Sequence, residues 1–225
     1  MDERMAWPQA DDGASDAPDP VLAVLREIHQ RHLADAGGAV ASYIPELATA
    51  DPALFGIALA TADGHLYAVG DAGHCFTIQS ISKPLVYGLA LADHGRAFVL
   101  GKVGVEPSGE AFNSIVFDER TNRPFNPMVN AGAIATTALI RGEGLAARFA
   151  RVRALLSAFA GRELEMDERV FRSERETGHR NRAIAWLERQ FGMIDERIDE
   201  HLDLYFRQCS ILVTAHDLAV TAATL

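Results

Sequence analysis

Nowhere does this chain string together the roughly eighteen apolar residues that cross a bilayer. Its first residues are acidic, and no basic stretch followed by an apolar one marks a secretory leader. Cysteine is scarce. Cys75 and Cys209 stand alone with no metal-type or redox spacing, so a reducing, cytoplasmic home is expected. Positive charge is in deficit, with 21 Lys and Arg against 31 Asp and Glu and a net charge of −10. That balance argues against a nucleic acid or an anionic membrane as partner. Internal repeats and low-complexity tracts are missing too. What is present is an ordinary globular composition, 48% hydrophobic and 23% charged. At 225 residues the chain is long enough for one domain with a sizeable core.

Residues 1–18, rich in Asp, Ala, Pro and Gly, read as a disordered acidic tail, and one domain is expected over 19–225. Asp19 as N-cap, Pro20 at the first helical position and Gly37-Gly38 as a stop predict a helix over 20–36. His29 and His32 share a side of it, but no third ligand is evident, and no metal site is expected. Residues 39–54 are irregular and hold Tyr43 in a Tyr-Ile-Pro turn. A β-hairpin follows, with 54–60 as a buried strand, Ala62-Asp63-Gly64 as the turn and 66–69 as the return strand. The apolar run 85–91 predicts a buried helix. Further helical patterns cover 145–159 and 181–191, and Asp217 opens a last helix over 218–225. A helix, a hairpin and then several helices suit an α+β fold, an antiparallel sheet with a helical layer.

The stretch Phe76-Thr77-Ile78-Gln79-Ser80-Ile81-Ser82-Lys83 carries the most chemistry. Pro84 is tolerated only in the first turn of a helix, so the helix is expected to begin near Ser80. Positions i and i+3 share a face, which lets Ser80 meet Lys83 at the positive end of the dipole. A lysine whose pKa is lowered can take the proton that makes a serine hydroxyl nucleophilic. Ser-x-x-Lys is the spacing of penicillin-binding proteins and class A β-lactamases. The bland alternative makes Ser80 a helix cap and Lys83 a side chain that snorkels to solvent. Elsewhere, Asn130 reads equally well as an N-cap. Glu174 and Asn181, seven residues apart, fall on one face of a two-turn helix that is otherwise a solvated charged face. Tyr205 reads as core.

Taken together, these strings resemble the serine-dependent glutaminase family. They are the Ser80 stretch, Val105-Glu106-Pro107-Ser108-Gly109, Asn126-Pro127-Met128-Val129-Asn130-Ala131-Gly132-Ala133-Ile134, Ser173-Glu174, Asn181-Arg182 and Tyr205-Phe206-Arg207-Gln208-Cys209-Ser210. They run in order from about Tyr43 to Leu225. The resemblance implies a fold like that of the β-lactamases and penicillin-binding proteins. It also implies hydrolysis of the side-chain amide of L-glutamine to L-glutamate and ammonia. Ser80 and Lys83 would be catalytic, and Tyr43, Gln79, Ser80, Asn130, Glu174, Asn181 and Tyr205 would line the substrate site. Neither metal nor organic cofactor is implied, and a homo-oligomer, dimer or tetramer, is expected. Proteins of the family continue beyond the helix that matches 217–225. The continuation carries a second tyrosine and a Gly-rich strand that completes the oxyanion hole, so weak turnover is expected of these 225 residues. Two alternatives stand beside the enzyme. One is a catalytically impaired glutaminase-like binding or assembly protein. The other is a penicillin-recognising hydrolase, although neither Ser-Asp-Asn nor Lys-Thr-Gly occurs.

Overall fold

Residues 19–225 are described by the structure, a computed structural model, and the expected 1–18 tail lies outside the described residues. In chain order the elements are α1 (Pro20–His32), β1 (Gly56–Ala60), β2 (Leu66–Gly70), β3 (Phe76–Thr77), α2 (Ser82–His94), α3 (Arg96–Leu100) and α4 (Asn130–Ala138). Then come α5 (Gly144–Ala160), α6 (Glu168–Thr177), α7 (His179–Gln190), α8 (Ile198–Cys209), β4 (Leu212–Val213) and α9 (Ala215–Thr224). Single 3-10 turns occupy Pro45–Thr49 and Gln79–Ile81. The described residues fall into two compact units. One comprises residues 19–76, 156–165 and 212–225; the other comprises 77–155 and 166–211.

The first unit is built on the hairpin. β1 and β2 pair antiparallel in the register Gly56↔Gly70 to Ala60↔Leu66. The turn is closed by Thr61 N donating to His65 O at 2.9 Å and Gly64 N donating to Thr61 O at 3.0 Å. The first strand, expected to be buried, is half-buried, as is the return strand, and Leu54 and Phe55 stay outside β1. Asp19 caps α1, its Oδ1 accepting from Val21 N at 2.8 Å and Leu22 N at 3.1 Å, with Pro20 at the first position. The helix ends at His32 instead of running to 36, well ahead of the Gly37-Gly38 pair. His29 stacks on Phe55 at 4.8 Å and bonds its carbonyl, while His32 meets Asp35 at 2.7 Å. The two histidines therefore serve separate local partners. α9 begins two residues before Asp217, because Thr214 is the N-cap and Asp217 is the reciprocal member of a capping box. Asp217 also receives a two-pronged bond from Arg162, at 2.7 and 2.6 Å.

The second unit is helical around α4, the small-residue helix Asn130-Ala131-Gly132-Ala133-Ile134-Ala135. Every residue of α4 from Asn130 to Thr137 is buried. Its apolar side joins Phe171, Ile184, Ala185, Ile198, Leu202, Tyr205 and Phe206 in one cluster. Small side chains permit this close packing. At Gly132 a Cβ would overlap the carbonyl of Asn126, so only glycine fits beneath the loop that enters the helix. The far end of α4 is tied down by Arg148, which is buried and donates to the carbonyls of Thr137, Ala138 and Ile140 and to Glu200. A guanidinium thus satisfies the last carbonyls of the helix and complements their dipole.

Candidate active site

The Ser80 segment enters α2 through a backbone irregularity. Gln79 is one of two non-glycine residues with positive φ among those described, at 48°. Such a conformation is strained for a side chain with a Cβ, and it persists only where surroundings enforce it. After the turn Gln79–Ile81 the helix proper runs from Ser82, so Pro84 sits in its first turn as expected. Ser80 is exposed, whereas Lys83 is only 3% exposed. The snorkelling alternative therefore fails for Lys83. Its ammonium donates to Met128 O at 2.9 Å and to Asn130 Oδ1 at 2.8 Å, and lies 5.7 Å from the centre of the Phe112 ring. Burial lowers its pKa, while Cys209 and Glu174 pull the other way.

Asn130 is the hub. It is the first residue of α4 and not its cap, since Val129 holds that position. Its Oδ1 accepts from Lys83 and, at 3.4 Å, from Tyr205 Oη; its Nδ2 donates to Asn181 Oδ1 at 3.0 Å. Lysine has donors only, so it fixes which way the Asn130 amide faces, and Asn130 then fixes that of Asn181. The entering loop is held by Asn126, whose Oδ1 accepts from Met128 N at 3.0 Å and Val129 N at 3.2 Å. That bracket sets the Met128 carbonyl against Lys83.

Glu174 lies on α6, 6% exposed, with Oε2 buried and lacking a hydrogen-bond partner. Burial raises its pKa to about 8, against the opposing pull of Lys83. Burial, and then Glu174, push the Cys209 thiol up. A buried lysine, a buried carboxyl and two bonded amides therefore meet in one small volume of the helical unit. Perturbed groups gathered in this way make this volume the candidate site.

The family model for glutaminases matches residues 38–225. The chain belongs to the glutaminase family. It is 57% identical over 208 residues to the glutaminase of Trichormus variabilis, a span of 92% of this chain and 62% of the relative. The chain thus spans about three-fifths of the length of this relative and of the glutaminase of Nostoc sp.. A solved structure of Mglu in its tris and glutamate form superposes with a TM-score of 0.88 at 42% identity, over 92% of this chain and 46% of that one. The probable glutaminase of Bacillus subtilis superposes with a TM-score of 0.71 at 36% identity, over 75% of this chain and 55% of that one. The α+β, β-lactamase-like class is therefore that of the family.

Of the glutaminase positions expected from the motifs, Lys83, Asn130, Asn181 and Tyr205 form one hydrogen-bonded ladder. Glu174 couples to that ladder electrostatically through Lys83. Gln79 adjoins Ser80 and donates to Thr77 Oγ1 at 3.0 Å. Tyr43 belongs to the other unit and is 61% exposed. One expectation is corrected. Glu174 and Asn181 do not share a helix, because the chain breaks at Gly178 between α6 and α7. A Cβ at Gly178 would strike the Phe206 ring of α8 and the Glu174 carbonyl, so only glycine fits at the break. Motif reading missed Ser82, Thr137, Gln208 and Cys209. Each is buried beside the ladder, and the only available signal was a polar residue set in an apolar run.

Proposed function

We propose that this chain hydrolyses the side-chain amide of L-glutamine to L-glutamate and ammonia, with Ser80 as nucleophile and Lys83 as its base. The supporting observation is an amine buried three residues after an exposed serine, its pKa lowered by that burial. A lysine held below its usual range is closer to the neutral form that accepts a proton. Ser80 Oγ attacks the carboxamide carbon as its proton passes to Lys83. Lys83 returns that proton to the nitrogen as the C–N bond breaks and ammonia leaves, which gives a glutamyl ester on Ser80. Water then adds to the ester carbon, giving up a proton through Lys83 to Ser80 as the C–O bond breaks and glutamate departs.

Free glutamine carries an α-ammonium and an α-carboxylate. Glu174, ionised, meets the first. Asn130, Tyr205 and Asn181, whose amide nitrogen is the donor end left by the ladder, meet the second, with Gln79 and Tyr43 as further contacts. Support also comes from relatives named glutaminase and from a neighbour of 42% identity determined in a glutamate form. The reading includes a homo-oligomer and a cytoplasmic location, the latter in keeping with two unpaired cysteines.

Ammonia release by the purified chain tests the proposal, with L-asparagine, a fluorescent penicillin and the Ser80→Ala variant as comparisons. Release from glutamine that disappears in Ser80→Ala is expected. Acylation by the penicillin without release from glutamine would overturn it.

A further inference from the structure

Gln79, with its positive φ, is bonded to a chain of buried polar groups that the ladder does not use. Its carbonyl accepts from Ser82 twice, from the backbone amide and from Oγ at 2.7 Å. Ser82 Oγ in turn accepts from Gln208 Nε2 at 3.3 Å, and Gln208 Oε1 accepts from Thr137 Oγ1 at 3.0 Å. The Thr137 proton is shared with Ala133 O at 2.8 Å, which anchors the chain in α4. Ser82, Gln208 and Thr137 are all 0% exposed. A buried amide is tolerated only where its hydrogen bonds are made, so Gln208 demands the partners it has. Its donor end is aimed at the hydroxyl that holds the Gln79 carbonyl.

We propose that Ser82 and Gln208 are positioning residues: the relay Thr137–Gln208–Ser82 clamps the Gln79 carbonyl, keeps Gln79 left-handed and thereby aims Ser80. This rests on Ser80 being the nucleophile. The strain at Gln79 is the reason a clamp is needed. Left to itself, a glutamine relaxes to negative φ, and the residue after it turns with the peptide plane. Misplacing a nucleophile by an ångström lowers turnover about 100-fold. Gln208 lies one turn from Tyr205 on α8, so that helix presents a substrate contact and supports the nucleophile as well.

The test measures kcat and KM for glutamine, the melting temperature and a crystal structure for Ser82→Ala and Gln208→Met in the full chain. Turnover should fall about 10- to 100-fold in Ser82→Ala and less in Gln208→Met, while both variants still melt cooperatively. Glycine needs no clamp at positive φ, so the same Ser82→Ala change in a Gln79→Gly background should cost less than about threefold. An unchanged kcat in both single variants, or an equal loss in the glycine background, would overturn the proposal. If the unaltered chain releases no ammonia, the hydrolysis reading fails separately, and the crystal structure then decides the clamp. Gln79 at negative φ in Ser82→Ala upholds it; Gln79 still at positive φ refutes it.

Discussion

Ser80 and Ser82 are two positions apart, yet one is exposed, three residues before a buried lysine, and the other is sealed against Gln208. Only Ser80 has Lys83 at i+3, so Ser80→Ala should lower kcat by about 10⁴-fold or more, far beyond the loss in Ser82→Ala. Equal losses, read from initial rates of ammonia release, would remove Ser80 from its role. Glu174 carries a second prediction. Its pKa of about 8 lies above its ordinary value of 4.5, so without substrate it holds a proton at neutral pH. Only the ionised form pairs with an α-ammonium, and KM for glutamine should therefore fall as pH rises from 6 through 8.5. Glu174→Gln should raise KM about 10- to 100-fold, equivalent to a charged hydrogen bond of about 1.5–3 kcal/mol, and flatten that pH dependence. Stability moves the opposite way. The folded chain binds the Glu174 proton more tightly than the unfolded one, so this contribution is complete below pH 4.5 and is lost as pH rises through about 8. The melting temperature of the ligand-free chain should fall between pH 6 and 9 by more than that of Glu174→Gln. Lys83 and Cys209 face the same volume, which is why the difference between the two proteins is the quantity to read. A KM indifferent to pH in the native chain would return Glu174 to a structural role.

At the level of elements, the sequence was most legible where one residue does one local job. The Asp19 cap with Pro20, the turn at Gly64 and the placing of Pro84 in a first turn all follow from backbone chemistry that acts over a few residues. It was less legible where a distant ring or carbonyl decides. The α6–α7 break falls at Gly178, where the Phe206 ring, 28 positions further on, leaves no room for a Cβ, and the positive φ of Gln79 is set by Ser82 with support from Gln208. Nothing in a glutamine's own propensity announces either. The last helix was misplaced by three residues because Asp217 was taken as the opener, whereas Thr214 caps and Asp217 reciprocates. Thr214→Ala should therefore cost about 1 kcal/mol and lower the melting temperature by about 2–4 °C in a thermal scan. Gly132→Ala should cost more than that, since its methyl would overlap the Asn126 carbonyl behind Met128 and Lys83. If Gly132→Ala melts with the unaltered chain, the close approach is not a constraint.

Across the whole molecule, the site was legible as strings and not as geometry. Six motifs read in order over 43–225 led to the family, and the family match covers 38–225. The hub role of Asn130 was not legible, because it depends on α2, α4, α7 and α8 converging within the helical unit. The central claim is that Ser80, assisted by Lys83, forms the covalent bond with substrate. It is tested most directly by reacting the chain with a glutamine analogue that carries an electrophile at the side-chain carbon, and locating the adduct by peptide mass spectrometry. The adduct should sit on Ser80, be lost in Ser80→Ala, form far more slowly in Lys83→Ala and be blocked by excess glutamate. An adduct on Cys209 or on any other residue, or labelling of Ser80 at the same rate in Lys83→Ala, would contradict it.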